Sequence, residues 1–593
     1  MDSQTKVVVL QEAKDHIEMV RSATVVEIQN TSAHIEQYRQ AGNDPVAQKL
    51  YAHFSERLDE LHHLFPNPYF VRCDVSSQEG VSQALRFGKF AFIEQGIFSW
   101  TSPAATLRFG DIGPIRYESH DGKTWSGHLS RKDQLMISSG NVVFMTSESS
   151  EYERTLVYQE QLSRRKSGFI LPEIVARMER AQDDVIRANY KGSYLISGPA
   201  GSGKTTLAFH RIAYLLQSPD TAQIFSQDND ITFVQDEGTR AYFSQLLPEL
   251  GIHNVAVTTF AAWAFERLNI NDCTYIQRPN GVDEAVDSYE LEKLSALRSD
   301  AKPSSKTGTF SILREIYVTR MSEASLAIFD QQARDRVLDR YDLTALLRIE
   351  QEHGGFTKEE EYFEQKKNFR VQRHKQIVPL KYGLIVVDEV QNYLPEQISI
   401  LRSCIDDATQ SMLYVGDLAQ QIFLGTMRNW DDAGEVLLDD RKVLLDKVYR
   451  STKQIMRYIQ HIGFPVSVPE ELRDGVDVVE VEIASIEEQT AWVREHVANQ
   501  KPEAQIGVLS FSADTLSVLS QAFASQPNIH VLAIHQAQGV EFDVVYVVGA
   551  DVNISANTSE ERAKIQRDLL YVALTRAMDQ LYIVGGRTLK GIL

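Results

Sequence analysis

YLISGPAGSGKTTLAFHRIAYLL, residues 194–216, is the stretch that decides the fold. A short apolar strand runs into Gly198, Pro199, Ala200, Gly201, Ser202, Gly203, Lys204, Thr205 and Thr206, and an amphipathic helix follows at once. This is a complete G-x-x-x-x-G-K-[ST] sequence in the strand–loop–helix setting that it requires. Its glycines let backbone N–H groups close around a phosphate at a helix N-terminus. In that setting Lys204 would bridge β- and γ-phosphates and the Thr205 hydroxyl would reach Mg2+.

Outward from this loop, residues 160–267 and 380–593 repeat one rhythm of short apolar runs alternating with amphipathic helices: ITFVQ, VAVTTF, LIVVDE, MLYVGD, KVLLDKV, IGVLSF, HVLAIH, VVYVVG and LYIVG. Strands alternating with helices predict an α/β fold with parallel sheets, and there are enough strands for two. Between them, residues 268–380 are polar and rich in Lys, Arg and Glu, and read as a mostly helical insert. The run KEEEYFEQKKNFRVQRHKQ at 358–376 reads as a solvated helical face or as a contact surface.

Toward the N-terminus, Ala13, Ile17, Val20 and Ala23, then Leu50, Phe54, Leu58, Leu61 and Leu64, recur at helical spacing on either side of a Gly-Asn-Asp-Pro break. They predict an antiparallel helical hairpin, which serves either as a cap on the next domain or as an arm that touches a partner. Short alternating runs after Pro68 predict a small β-rich module. The expected divisions are a hairpin at 1–67, a β-rich module at 68–155, a first ATPase domain at 156–440 that carries the insert, and a second domain at 441–593.

A chain of 593 residues accommodates about three or four domains. With 43% hydrophobic residues it is not a disordered chain. No run approaches a membrane span and the first residues lack a signal sequence, so the expected location is cytoplasmic, with no membrane partner. Cys73, Cys273 and Cys404 form no CxxC motif. Lys and Arg number 61 against 81 Asp and Glu, a net charge of −20, which repels phosphate backbones except at a local basic patch and favours a basic protein partner.

The remaining chemistry sits at strand ends. LIVVDEVQ places Asp388 and Glu389 after four aliphatics, where one carboxylate can hold Mg2+ and the other can orient or deprotonate a water. YVGDLAQQIF adds Asp417 and Gln420, positioned to sense a γ-phosphate, and LDKVYRS adds Tyr449 and Arg450. Arg450 and Arg576, the latter in LLYVALTRA, lie beyond the first sheet and read as charge-neutralising groups from a second domain.

Taken in order, Gln182, GPAGSGKT, TTF (258–260), VVDEVQ, VGDLAQQ, VYRS, IHQAQGVEF (534–542) and LLYVALTRA resemble the superfamily 1 helicases of the UvrD/Rep type over about residues 174–593. The resemblance implies two RecA-like domains, ATP and Mg2+ as cofactors, and a set of roles. Gln182 would read the adenine edge, Tyr449 would stack on the base, and Glu541 would contact the ribose, with Gly539 in the same pocket. Gln420, Arg450 and Arg576 would report on the γ-phosphate. Thr259, Phe260 and His535 would be candidate contacts to single-stranded DNA or RNA.

A narrower resemblance to the HelD family covers nearly the whole chain through NPYFVRCDV, FGKFAFI, FSWTSP, ARMERAQDDVIR, LAFHRIAYLL and LLPELG. Those are ATPases that bind RNA polymerase and dislodge or recycle it, so the resemblance implies that residues 1–66 and 268–380 enter polymerase channels. About 80 residues separate YRS from IHQAQG, and 17 follow Arg576, so no large second accessory domain is expected. Three departures stand out: FSWTSP lacks the Asp and Arg usual around its Trp, FVQDEG replaces a Pro-Asn, and Gln538 stands where a Lys is usual. Three readings follow: a polymerase-recycling ATPase, a single-stranded nucleic-acid translocase or helicase, and a binding module gated by nucleotide.

Overall fold

The computed structural model describes residues 3–589 apart from 41–44, 78–79, 119–122, 160–179, 200–201, 238, 241–242, 245–246, 248–251, 253–254, 300–302, 304–307, 366–370, 419, 436, 446–450, 465, 467, 469–471, 503, 525, 527, 539 and 551–559. Two compact units divide the chain: Met1–Asn189 with Phe209–Gln227 and Gln245–Asn254, and Tyr190–Ala208 with Asp228–Ser244 and Val255–Leu593.

The first unit opens with helices Ser3–Gln40 and Pro45–Leu64, which pack on each other. Val9, Ala13, Ile17 and Val20, spaced by three and four, form one buried stripe that meets Leu64 of the second helix, Tyr69 and Phe90 beside the following sheet, and Leu135 and Met145 within it. Each Val, Ile or Leu side chain so removed from water contributes about 1.5–3 kcal/mol. Glu12 adds a polar anchor, taking Arg72 at 3.1 Å and Arg131 at 2.9 Å. The start of the long helix is therefore docked as a cap, and its later half packs along the second helix.

Seven strands from Val71 to Gln159 make one mostly antiparallel sheet. Its last strand, Tyr152–Gln159, runs past the boundary expected at 155. In the FSWTSP segment Trp100 is buried, its carbonyl accepting from Arg187 at 2.8 Å and its ring standing edge-on to His210. Asp183 holds both Arg108 and Arg187 at 2.9 and 2.8 Å, fixing the short helix Arg180–Arg187.

The second unit contains two fully parallel sheets. In spatial order the first is Ala256–Thr259, Asp230–Val234, Leu384–Val387, Ser411–Gly416, Ser193–Ser197 and Lys442–Leu444. The second is Val479–Glu482, Ala577–Gly585, Phe542–Val548, Ile506–Ser510 and Ile529–Ala533. Their apolar runs are buried along nearly their whole length, as parallel strands covered on both faces must be. Because Lys442–Leu444 pairs with Ser193–Ser197, the first sheet extends past the division expected at 440 and 441.

The insert is helical over Glu284–Leu297, Thr309–Tyr317, Glu323–Arg334 and Arg340–Glu352. Its charge run is not a helical face: Thr357–Gln365 and Val371–Pro379 form an antiparallel hairpin. β-favouring Tyr362, Phe363 and Val371 within the run, with Thr357, Ile377 and Val378 at its ends, outweigh its many helix-compatible charges. No helix among the described residues is long and apolar enough to cross a membrane.

A buried charge cluster locks the insert. Lys293 is fully buried, with Nζ 2.6 Å from Asp339 and 2.7 Å from Asp342, while the Tyr317 hydroxyl donates to Asp342 at 2.6 Å. Burial alone would lower the Lys293 pKa, but the two carboxylates raise it instead, so the ammonium stays charged. Lys293→Met strips the cluster of its buried cation and should cost about 3–5 kcal/mol of stability in urea unfolding followed by circular dichroism. A loss under about 1 kcal/mol would contradict this reading of the cluster.

Candidate functional site

The site is built where the strands of the first sheet end. Ser193–Ser197 delivers the glycine loop, and the helix Lys204–Gln217 starts directly behind it. Gly203 has φ +85°, in the left-handed region that favours glycine. A methyl on Gly198 would run into the Leu445 carbonyl and crowd Ser202 Oγ at 2.9 Å. Ser202 and Lys204 are buried, while Thr205 and Thr206 are half-buried. The Lys204 ammonium folds over the loop and donates to the carbonyls of Gly198 and Pro199 at 2.8 and 2.9 Å.

Leu384–Val387 ends on Asp388 and Glu389. The Asp388 backbone N–H donates to the Phe233 carbonyl at 2.9 Å, which ties this strand end to its neighbour. The Thr205 hydroxyl lies 3.3 Å from Asp388 Oδ1, so the first turn of the helix and the strand end face one another. Burial and the neighbouring Glu389 push the Asp388 carboxyl up to about 7, against the pull of Lys204, the Glu389 backbone N–H and the Thr205 hydroxyl. Burial likewise lowers the Lys204 pKa, which Glu389, Asp417 and Asp388 counteract and Arg576 depresses further. Glu389 itself adopts φ +48°, a conformation that costs a non-glycine residue about 1–2 kcal/mol.

Ser411–Gly416 supplies the third strand end. Gln420 is buried and its Nε2 donates to Asp417 Oδ2 at 2.8 Å. Gln391, quoted within VVDEVQ but given no role by the sequence, joins these pieces. Its Nε2 donates to Glu389 Oε2 at 2.5 Å, and its Oε1 accepts from the Asp417 N–H at 3.0 Å. The only signal for it was a glutamine two residues after a carboxylate pair, which no periodicity marks.

From the second sheet, Arg576 is buried beyond the helix Glu560–Leu574, where its guanidinium donates to the Val572 and Val540 carbonyls at 3.0 and 3.4 Å. Its charge lowers the Lys204 pKa, the smallest of the influences on that group. Glu541 is half-buried just before the strand Phe542–Val548. Gln182 lies half-buried on the helix Arg180–Arg187 in the first unit. Ala200, Gly201, Tyr449, Arg450 and Gly539 lie outside the described residues.

Thr259 and Phe260 line a cavity of about 360 Å³ with Gln235, Tyr275, Asn392, Tyr393 and Phe423. The Thr259 hydroxyl is engaged in capping the helix Phe260–Arg267, accepting from the Ala262 N–H at 3.1 Å. Phe260 stands edge-on to Tyr393. Asp236 and Glu237 also line the cavity. His535 is half-buried in the turn Ile534–Ala537 of the second sheet, where burial lowers its pKa.

With this geometry in view, the comparisons with known proteins fall on the second sheet. The family model of the UvrD-like helicase C-terminal domain matches residues 453–587. Among solved structures, the chain is similar to the C-terminal domain of a possible DNA helicase from Lactobacillus plantarum WCFS1, at 22% identity over 25% of this chain and 94% of that one, with a TM-score of 0.21. No curated protein matches the chain. The matched residues run from the helix Lys453–His461 to just past the strand Ala577–Gly585 and include Gln538, Glu541 and Arg576. The chain therefore carries a UvrD-like helicase C-terminal domain.

Gly198→Ala tests the loop directly. The added methyl must displace the Leu445 backbone carbonyl and crowds Ser202 as well, so binding of a fluorescent ATP analogue should weaken at least about tenfold, a loss near 1.4 kcal/mol. Wild-type affinity in a variant of normal circular dichroism would contradict the loop's assignment to phosphate.

Proposed function

We propose that this chain is an ATP-hydrolysing superfamily 1 motor with two RecA-like domains, which couples nucleotide turnover to a change at a macromolecular partner. The observation that carries this reading is the approach of the Thr205 hydroxyl to the buried Asp388 carboxylate, with Glu389 next in sequence, at the mouth of a glycine loop that ends in Lys204. A hydroxyl and a carboxylate are the hard oxygen donors that suit Mg2+, so Thr205 and Asp388 would hold that ion; when bound, it neutralises phosphate charge.

The chain's own groups account for the rest of the hydrolysis. The loop N–H groups and Lys204 hold the β- and γ-phosphates of ATP. Glu389 accepts the proton of a water whose oxygen bonds to the γ-phosphorus as the bond to the β,γ-bridging oxygen breaks, giving ADP and phosphate. Arg576 neutralises charge from the second domain, and Gln420, held by Asp417, senses the γ-phosphate. In this reading Tyr449, Gly539 and Glu541 hold the nucleoside and Arg450 joins Arg576.

We infer that the partner is RNA polymerase, released or recycled by the motion of the two domains, as in the HelD family that the sequence resembles. A net charge of −20 supports this, as do the acidic Asp236 and Glu237 at the cavity. So does Gln538, which is bound into the protein and offers no positive charge to a polymer. A second reading, a translocase on single-stranded DNA or RNA, is favoured by the UvrD-like helicase domain and by the aromatic cavity at Thr259 and Phe260.

Glu389→Gln should bind ATP with near wild-type affinity and lose at least about 100-fold in turnover, the scale of a general base. Near-normal turnover would refute the hydrolytic role. Stoichiometric RNA polymerase retained on the tagged chain after nuclease treatment of a host lysate supports the first partner. Loss of polymerase, with ATPase activity stimulated by single-stranded oligonucleotide, supports the second.

A further inference from the structure

Gln538 comes from the second sheet, between the turn Ile534–Ala537 and the strand Phe542–Val548, and is buried. Its Oε1 accepts from Asn392 Nδ2 at 2.8 Å, and its Nε2 donates to Glu389 Oε2 at 3.4 Å. The same carboxylate oxygen already takes Gln391 Nε2 at 2.5 Å. Asn392 is fixed in turn: its Oδ1 accepts from the Ile422 N–H at 3.3 Å, its backbone carbonyl accepts from Arg340 at 2.8 Å, and its Nδ2 also reaches Gln235 Oε1 at 3.4 Å.

Three amides, Gln235, Asn392 and Gln538, thus form a chain that ends on Glu389, and the first two line the cavity beside Thr259 and Phe260. An amide can occupy the middle of such a chain because it donates and accepts at once. A lysine at 538 could donate to Glu389 but could accept nothing from Asn392.

We propose that Gln538 is a positioning residue that restrains Glu389, so that the second domain governs when the carboxylate turns toward water. The inference rests on the reading of Glu389 as the base. An oxygen that accepts two N–H groups is turned toward the amides that hold it, and both must be exchanged before it serves a water at the γ-phosphate. Gln391 belongs to the first domain and moves with Glu389; Gln538 belongs to the second and does not. Separation or rotation of the two sheets therefore acts on the weaker contact, at 3.4 Å, first.

The test is steady-state ATP hydrolysis by the full chain as Gln538→Ala, Gln538→Asn, Asn392→Ala and the Gln538→Ala/Asn392→Ala pair, with Glu389→Gln and thermal melts alongside. Gln538→Ala should raise kcat about three- to tenfold, the range set by losing one weak hydrogen bond to a charged group, and leave KM for ATP within about twofold. Gln538→Asn, one methylene too short to span both partners, should match it. Asn392→Ala should give the same rise, and the pair should give no more than either single change, because both cut one chain. A fall or no change in kcat for Gln538→Ala overturns the proposal, with or without a lowered melting temperature. Additive effects in the pair overturn it too. Turnover surviving in Glu389→Gln defeats the assignment of the base instead, and so separates the two failures.

Discussion

One buried ammonium among several carboxylates is the constraint from which the rest follows. Asp388 and Glu389 are adjacent, and Asp388 is buried, a placement that raises its carboxyl to about 7. Lys204 is the cation that opposes this, and the carboxylates in turn keep its own pKa from falling as far as burial would take it. Burial of either charge without compensation would be costly, and Lys204 is held as well by the Gly198 and Pro199 carbonyls. The glycine loop, the parallel sheet and the covering helices exist in a geometry that brings the two together from strands that are not consecutive in the chain: Ser193–Ser197 and Leu384–Val387 are separated in the sheet by Ser411–Gly416.

The end of that intervening strand is also tied to its neighbour's carboxylate pair. Its end carries Asp417 and Gln420, and Gln391 ties Asp417 back to Glu389. The loop that follows is gripped from two directions. Lys564 of the second domain's helix donates to Gln421 at 2.6 Å, and the insert holds Leu424 through Asn280 and Tyr341, each at 3.1 Å. Ile422, Phe423 and Leu424 pack into the core of the second sheet. The segment is thus held by the insert and by the second sheet's helix together, through packed side chains and hydrogen bonds.

Much of this was legible in the sequence for a specific reason. Parallel strands buried on both faces are continuous apolar runs, and a phosphate loop needs glycines at fixed offsets, so LIVV, MLYV and GPAGSGKT announce themselves. The hairpin at 357–379 was hidden because its charges suit a solvated helix as well as a strand, and only the pairing of its two arms decides between them. Lys442–Leu444 looked like the start of a new domain because nothing in three residues tells which sheet they will edge. The amide chain was hidden more deeply: Gln538 and Asn392 lie 146 residues apart, and glutamine carries no periodic or compositional mark of its partner. Gln538 was visible only as a missing lysine, and the structure turns that absence into a contact.

The proposed function requires that the second sheet complete a hydrolytic site begun by the first. Turnover of ATP by Arg576→Ala tests it most directly, because Arg576 lies in the matched UvrD-like domain while Lys204 and Asp388 come from the first sheet. The expected result is a loss of about 1,000-fold or more in kcat with nucleotide binding largely retained, the scale of a charge-neutralising arginine in phosphoryl transfer. Turnover within a few-fold of wild type in a folded Arg576→Ala protein would contradict the account.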